Sequence, residues 1–268
     1  MTAVNVCGRH NDFCLYTKFV FVLLMMVGAV QQLGAAELTF NTQEFAPFNY
    51  SIGGVVSGPV VEVVSTVCTV AKIKCRFKSL PWRRAQADVK TGKANGMFVI
   101  GWNKERAKWL NFSPPILNTE YGFFVRNSNN LEFREISDIA GYSIGVYGPS
   151  NTSNSLEKIK SDLEALGADT ISIDLRPYDE TGFRKLSLGR VDAVYSNRDV
   201  GVVLTHKLGL KNVRYAGSQK RLKYYVGFSK AHTDKALVDR FNAAFNKLHA
   251  QGAIQKILVS YGMEPSAL

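Results

Sequence analysis

Thr91-Gly92-Lys93-Ala94-Asn95-Gly96 and Leu188-Gly189-Arg190-Val191-Asp192-Ala193 lie 97 positions apart and read alike. Each closes a segment of helical spacing and leads into an apolar run. Before the first, Pro81 starts a helix that puts Trp82, Ala85 and Val89 on one side, and Gly92 stops it. After it, residues 96–100 read as a buried strand. Around the second, 180–188 reads as a helix and 193–196 as a strand. A match of six positions is slender by itself, but it fits two similar sheets, each ending the same helix in the same way.

The flanking sequence keeps this rhythm. Upstream, 38–41 reads as a strand, Ser57-Gly58-Pro59 opens a helix with Val60, Val64, Val67 and Ala71 on one face, and 75–79 is a short strand. Residues 105–110 read as a short helix and 121–126 as an extended run. The second set runs from a strand at 143–146 through a helix at 153–166 to a strand at 170–175. After the second turn comes a helix marked by Val200, Val203, Leu204 and Leu208. An extended run at 223–229 and two helices, 234–251 and 253–261, close the chain. Strands alternating with helices predict an α/β protein with largely parallel sheets. The extended runs bracket the second set, so they fit two crossings between lobes. That divides the chain into a discontinuous lobe 1 (37–122 and 226–268), a lobe 2 (127–222) and hinge strands at 123–126 and 223–225.

The N-terminus reads as a secretory signal. Arg9 and Lys18 precede a twelve-residue apolar run at 19–30, and Gly34-Ala35-Ala36 follows it. Such a run spans about 18 Å as a helix, short of a bilayer core of about 30 Å, so no stable membrane anchor is expected. Cleavage after Ala36 makes 1–36 the signal peptide. The 268 residues carry a net charge of +11, and the mature part, with 31 basic and 21 acidic residues, keeps +10. A composition 46% hydrophobic and 21% charged excludes a disordered, collagen-like or polytopic membrane chain. No dense Lys/Arg block and a periplasmic address leave nucleic acid out as a partner. Cys68 and Cys75 remain after cleavage and make a disulfide candidate in an oxidising compartment, with two buried free thiols as the alternative. His206, His232 and His249 show no ligand spacing, so neither a metal nor a cofactor is expected.

Several stretches, taken in order, carry a family likeness. Phe45-Ala46-Pro47-Phe48 follows the first strand, and Leu80-Pro81-Trp82-Arg83-Arg84-Ala85 precedes the Gly92 turn. Lys104-Glu105-Arg106-Ala107-Lys108-Trp109-Leu110-Asn111-Phe112-Ser113, continued by Pro114, matches an Arg-to-Phe-Ser-Pro signature. Ile144-Gly145-Val146-Tyr147-Gly148 opens the second lobe, and Gly189-Arg190-Val191-Asp192-Ala193-Val194 leads to the turn at Asn197. Over about 37–265 the chain resembles the periplasmic solute-binding proteins of the polar amino acid ABC transporter type, bacterial extracellular solute-binding family 3. The resemblance implies a two-lobed, periplasmic-binding-protein-like (type II) α/β fold with two hinge strands, closing over a small molecule.

It also implies a site. Arg106 matches the Arg that holds a ligand carboxylate, a task suited to its planar fork of donors; a surface Arg is the alternative. Trp82 matches an aromatic in the cleft, although a core Trp is nearly as good a reading. Phe45 lies on the loop after the first strand, where ligands meet α/β sheets, and Glu44 beside it can meet an ammonium. Gly101-Trp102-Asn103 leads to Arg106 and offers backbone and amide groups. In lobe 2, Ser150-Asn151-Thr152 precedes a helix whose first N–H groups attract anions or are simply capped. Asn197 departs from the family, in which an Asp at this turn pairs with the ligand ammonium. Either Glu44 substitutes for it or the ligand is an organic anion without a free amine, toward which Arg198 and the basic chain lean.

The expected function is therefore periplasmic binding of a small polar solute, an amino acid or related carboxylate, for delivery to an ABC permease, by a monomer. One alternative is a cyclohexadienyl-dehydratase-like enzyme, since relatives of this fold include such dehydratases. No nucleophile elbow, metal cluster or Ser/His/Asp order supports catalysis, and a non-enzyme is expected. A second alternative is a sensor that docks on a receptor when it closes.

Overall fold

The computed structural model describes residues 36–268, so the leader read from sequence, with Cys7 and Cys14, lies outside the described residues. From β1 (Glu37–Thr42) the chain makes a hairpin, β2 (Tyr50–Ile52) and β3 (Val55–Ser57). It continues through α1 (Pro59–Val70), β4 (Lys74–Ser79), α2 (Trp82–Lys90), β5 (Gly96–Gly101), α3 (Lys104–Ala107), β6 (Leu110–Phe112) and β7 (Leu117–Arg126). A 3-10 turn at Ile136–Ile139 precedes β8 (Ser143–Tyr147), α4 (Asn151–Ala165), β9 (Ser172–Arg176), α5 (Asp179–Ser187), β10 (Ala193–Asn197) and α6 (Arg198–Lys207). The long β11 (Val213–Ser229) leads to α7 (Lys235–Ala250), α8 (Ala253–Ser260) and β12 (Glu264–Pro265).

The two echoed turns take one form. Gly92 and Gly189 both have left-handed φ, +78° and +71°, as a residue just past a helix end often must. Beyond each glycine the chain ties back to the neighbouring strand with the same pair of bonds. Asn95 donates its N–H to the Thr39 carbonyl (2.9 Å) and accepts the Thr39 N–H on Oδ1 (2.8 Å). Asp192 does the same to Ser143, at 2.8 Å and 2.9 Å. The short polar side chain after each turn thus fixes β5 against β1 and β10 against β8.

The sheet path is β4-β1-β5-β11-β7-β10-β8-β9. The triplets β4-β1-β5 and β9-β8-β10 are each parallel within themselves. The antiparallel pair β7 and β11 joins them. Each triplet is covered on both faces. In the first half, Val60, Val63, Val64 and Val67 of α1 pack with an aromatic group around Phe40, whose ring centroid lies 5.6 Å from Phe228 and 6.2 Å from Phe77. Trp82, Ala85 and Val89 of α2 pack with Met97, Ile100 and Leu110 in a separate core. In the second half, Leu156, Ile159 and Leu163 of α4 meet Phe123 and Tyr195, and Phe183 and Leu186 of α5 meet Phe124 and Val194. Each fully buried Phe is worth about 1.5–3 kcal/mol, so these groups carry much of the fold's stability.

Three elements differ from the sequence reading. Residues 105–110 do not form one helix: α3 stops at Ala107, and β6 pairs Phe112 with Gly227 of β11. Burial of Leu110 in the α2 core draws that stretch away from helical spacing. The run at 223–229 is the end of a strand that begins ten residues earlier, at Val213. Its polar segment Gly217-Ser218-Gln219-Lys220-Arg221 has no apolar alternation and is held by backbone pairing to β7. The hairpin β2–β3 turns on Gly53 and Gly54, both at positive φ. On β7, Leu117 packs in the first core and Tyr121 in the second, so the change of core falls between them, upstream of 123–126. On β11 it falls at Leu222, which packs against both.

Cys68, in the last turn of α1, is bonded to Cys75 in β4, with Cα atoms 6.2 Å apart. A bridge across so short a loop stabilises by about 2 kcal/mol through the unfolded chain. Replacing both cysteines by Ser should lower the unfolding free energy from urea denaturation by about 2 kcal/mol, read as a lower midpoint; an unchanged midpoint and slope would show that the bridge adds no stability.

Candidate ligand-binding site

The site begins with an irregularity in β5. Tyr225 of β11 pairs with Ile100 and Val226 with Phe98, which leaves Val99 as an extra residue. Val99 has φ +56°, a region β-branched residues rarely occupy. The bulge breaks the period-two alternation: Met97 and Ile100 both join the α2 core, while Phe98 and Val99 join the other. It also aims the end of β5 at α3. There the Asn103 side chain caps α3, accepting the Arg106 N–H at 2.8 Å, and Arg106 Nη1 donates to the Gly101 carbonyl at 2.8 Å.

Arg106 is only 8% exposed, and no carboxylate among the described residues lies within ion-pair distance of it. Burial lowers its pKa, against the opposing influence of the Tyr121 and Tyr224 phenols. Its guanidinium carbon lies 5.5 Å from the centre of the Trp82 ring. A buried guanidinium without a counter-ion is costly, and it keeps donors free for an anion.

The second half meets this arrangement at the first turn of α4. Ser150 caps the helix, its Oγ accepting the Ser153 N–H at 3.1 Å. The first N–H groups of α4, at Asn151 and Thr152, have no intrahelical acceptor. The halves touch through Asn103 Nδ2 donating to Asn151 Oδ1 at 3.0 Å, and through Tyr147 donating its hydroxyl to Gln43 at 3.4 Å. Gly101 permits this approach, since a Cβ there would lie 3.1 Å from Asn151 Nδ2. A cavity of about 40 Å³ remains between the halves, lined by Trp82, Gly101, Arg106 and the Ser150-Asn151-Thr152 segment. Gln43, Phe45, Trp82 and Tyr147 line both this cavity and a larger one of about 900 Å³.

The sequence candidates distribute as follows. Phe45, Trp82, Gly101, Arg106, Ser150, Asn151 and Thr152 converge on the small cavity. Glu44 lines the large one, its carboxylate accepting from the Ser51 N–H (3.1 Å) and Ser79 hydroxyl (3.1 Å). Asn103 opens on a third cavity beside Trp82. Trp102 is 53% exposed and lies outside all three. Asn197 is buried and also outside them: its Nδ2 donates to Thr119 Oγ1 (2.7 Å) and the Tyr224 hydroxyl (3.2 Å), and its Oδ1 caps α6.

Sequence reasoning missed Gln43, Tyr147, Tyr121 and Tyr224. Gln43 follows β1 and Tyr147 ends β8, so the rule that ligands lie beyond the carboxyl ends of parallel strands would have found both. Tyr121 and Tyr224 pair into the cleft only through the register of β7 and β11, which no local pattern reveals.

A family model for the bacterial extracellular solute-binding proteins, family 3, matches residues 38–264. The chain belongs to that family. Its curated relatives include the "Probable amino-acid-binding protein YxeM" of Bacillus subtilis (strain 168), 24% identical over 224 residues, covering 82% of this chain and 81% of the relative. Another is the "Arginine-binding periplasmic protein" of Mannheimia haemolytica, 21% identical over 88% of this chain and 95% of the relative. Among solved structures, an ancestral arginine-binding protein bound to arginine superposes with TM-score 0.72 at 20% identity, covering 84% of this chain and 97% of that one. A histidine kinase sensor domain superposes with TM-score 0.75 at 18% identity, covering 86% and 98%. These matches give this member of family 3 the type II, two-lobed binding-protein fold, and with it the family's activity, solute binding. Among the described residues no helix is long and apolar enough to cross a membrane.

Trp82 both lines the cavity and fills the α2 core. Trp82→Ala should therefore destabilise the protein by about 3–5 kcal/mol in chemical unfolding, well beyond the loss of a rim contact. A loss below about 1 kcal/mol would mean that the ring serves the cavity alone.

Proposed function

We propose that the protein binds a small polar solute, an amino acid or related carboxylate, in the cleft between its halves and delivers it to an ABC permease. The observation that carries this reading is Arg106: a buried guanidinium with no carboxylate partner among the described residues, at the seam of two halves. A solute carboxylate supplies the missing counter-charge, held bidentately and helped by the first N–H groups of α4. Phe45 and Trp82 flank the solute body, and Gly101, Asn103, Ser150, Asn151 and Thr152 complete the polar contacts. Contacts to both halves favour the closed form, which is how such a solute drives hinge closure. The family assignment and the amino-acid-binding relatives support the same reading.

The lobes are 37–122 with 226–268 and 127–222, joined by hinge strands at 123–126 and 223–225; the change of core between Leu117 and Tyr121 on β7 and at Leu222 on β11 supports crossings close to these. Residues 1–36 direct export to the periplasm and are removed after Ala36, in keeping with the Cys68–Cys75 bridge. The protein acts as a monomer and performs no chemistry of its own. A receptor-docking sensor would use the same closure, and the fold match to a kinase sensor domain is the observation on its side.

A thermal-shift screen against amino acids, polyamines and organic acids should yield a carboxylate hit, because a ligand at a hundred times its Kd adds about 2.7 kcal/mol. For that hit, Arg106→Ala should raise Kd by about thirtyfold or more in calorimetry, the consequence of removing one partner of a buried charge pair. Unchanged affinity would remove Arg106 from the site. Cyclohexadienyl acids incubated with the protein should be recovered intact; turnover would replace the binding reading with an enzymatic one.

A further inference from the structure

The small cavity at Arg106 holds about 40 Å³, a few times the ~10–15 Å³ that one water needs. It has room for a carboxylate and little more. Arg106 is the one charged residue in its lining, and the remainder is aromatic, amide, hydroxyl, glycine and the single aliphatic Val99. Asn197, at the turn where the sequence departs from the family's Asp, is neutral, buried and committed to Thr119, Tyr224 and the cap of α6. An ammonium directly beside the bound carboxylate therefore finds no carboxylate to meet it.

The small cavity adjoins the 900 Å³ chamber through the shared Gln43, Phe45, Trp82 and Tyr147, so a solute anchored at Arg106 extends there. Three carboxylates line that chamber. Glu44 accepts from Ser51 and Ser79, and Glu180 is paired with Lys207 at 2.9 Å. Asp179, at the start of α5, is different. Its one hydrogen bond is from the Ser196 hydroxyl, long at 3.3 Å, and no cation among the described residues lies within ion-pair distance. Desolvation by the surrounding protein pushes its pKa up to about 6, against the Ser196 bond. A half-buried carboxylate facing a chamber, still ionised at neutral pH and lacking a cation, is a receptor for one.

We propose that the cleft selects a charge-separated acid: a carboxylate at Arg106, a flexible chain through the aromatic passage, and a distal ammonium or guanidinium at Asp179, with no ammonium needed next to the carboxylate. This rests on the solute-binding reading and narrows its substrate class to ω-amino or ω-guanidino acids.

Calorimetry with 5-aminopentanoate, 4-guanidinobutanoate, pentanoate and L-arginine tests it. One ω-cationic acid or both should bind about tenfold or more tightly than pentanoate, the scale of one charge-assisted contact. L-Arginine should bind no more tightly than 4-guanidinobutanoate. In Asp179→Asn, with its unfolding midpoint recorded to establish that it is folded, the advantage over pentanoate should fall below about threefold. The wild-type advantage should also shrink from about pH 7.5 to 5, as Asp179 takes up its proton, and the variant's profile should be flatter. The other titratable groups lining the chamber are Glu44, Tyr147, Tyr178, Glu180, Arg184 and Lys207, which the variant leaves in place. An advantage that survives in Asp179→Asn, pentanoate binding as tightly as both ω-cationic acids, or a tenfold preference for L-arginine would each overturn the assignment. If neither ω-cationic acid binds while another carboxylate shifts the melting point, the assignment falls and solute binding stands. If no carboxylate in the broad screen binds either, both fall.

Discussion

Two strands carry the chain between the halves, and the antiparallel ladder from Leu117–Tyr224 to Arg126–Val213 is the joint on which the cleft hangs. A ladder of backbone bonds has an advantage at such a joint. It holds register without an apolar face, so the crossing can be lined with polar side chains while each half keeps its own core. The register slips twice, at Tyr215/Gly217 and Ser218/Lys220, both on the second-half side of Leu222. Gly217, at φ +145°, lies 2.7 Å from the Phe133 carbonyl at its would-be Cβ, a place no other residue can take. The joint thereby also sets where Tyr121 and Tyr224 stand, in the lining of the small cavity with Arg106.

Arg106 converts that geometry into chemistry. Taking a guanidinium out of water opposes folding, and one carbonyl and one indole face return only part of the loss. On the proposed reading a bound anion would recover the remainder, so the feature that costs the free cleft would favour the occupied one. Its placement traces to a single extra residue, Val99. Without that bulge, Ile100 and Gly101 would exchange faces, and the carbonyl that positions the guanidinium would turn away.

The echo at 91–96 and 188–193 made the duplication legible because it marks a physical repeat. Gly92 and Gly189 end helices, and Asn95 and Asp192 each bind both backbone groups of a neighbouring strand residue. Helices announced by Pro59 and Pro81 were equally readable. Residues 213–222 were not, since Lys220, Arg221 and Gly217 carry no strand pattern and owe their conformation to β7. In the cleft, the residues near sequence-readable turns, Phe45, Arg106 and Ser150–Thr152, were found from local signals and family likeness. Asp179 was passed over because a helix-initial Asp reads as a capping or dipole residue; its openness to a chamber exists only once both halves are folded.

Asn197 shows how far one position can be committed before any ligand is considered. Thr119 gives its hydroxyl proton to Asp199 at 2.8 Å, so its oxygen is left needing a donor. Asn197 supplies one, shares its other N–H with Tyr224, and keeps its oxygen for the Val200 N–H. An aspartate at 197 could still cap α6, but it has no proton to give. It would place a second acceptor-only carboxylate on a hydroxyl already bound to Asp199. The amide is thus the group this network accepts. A cation recognised by this cleft has to be met elsewhere, on a carboxylate that the crossing between the halves does not need.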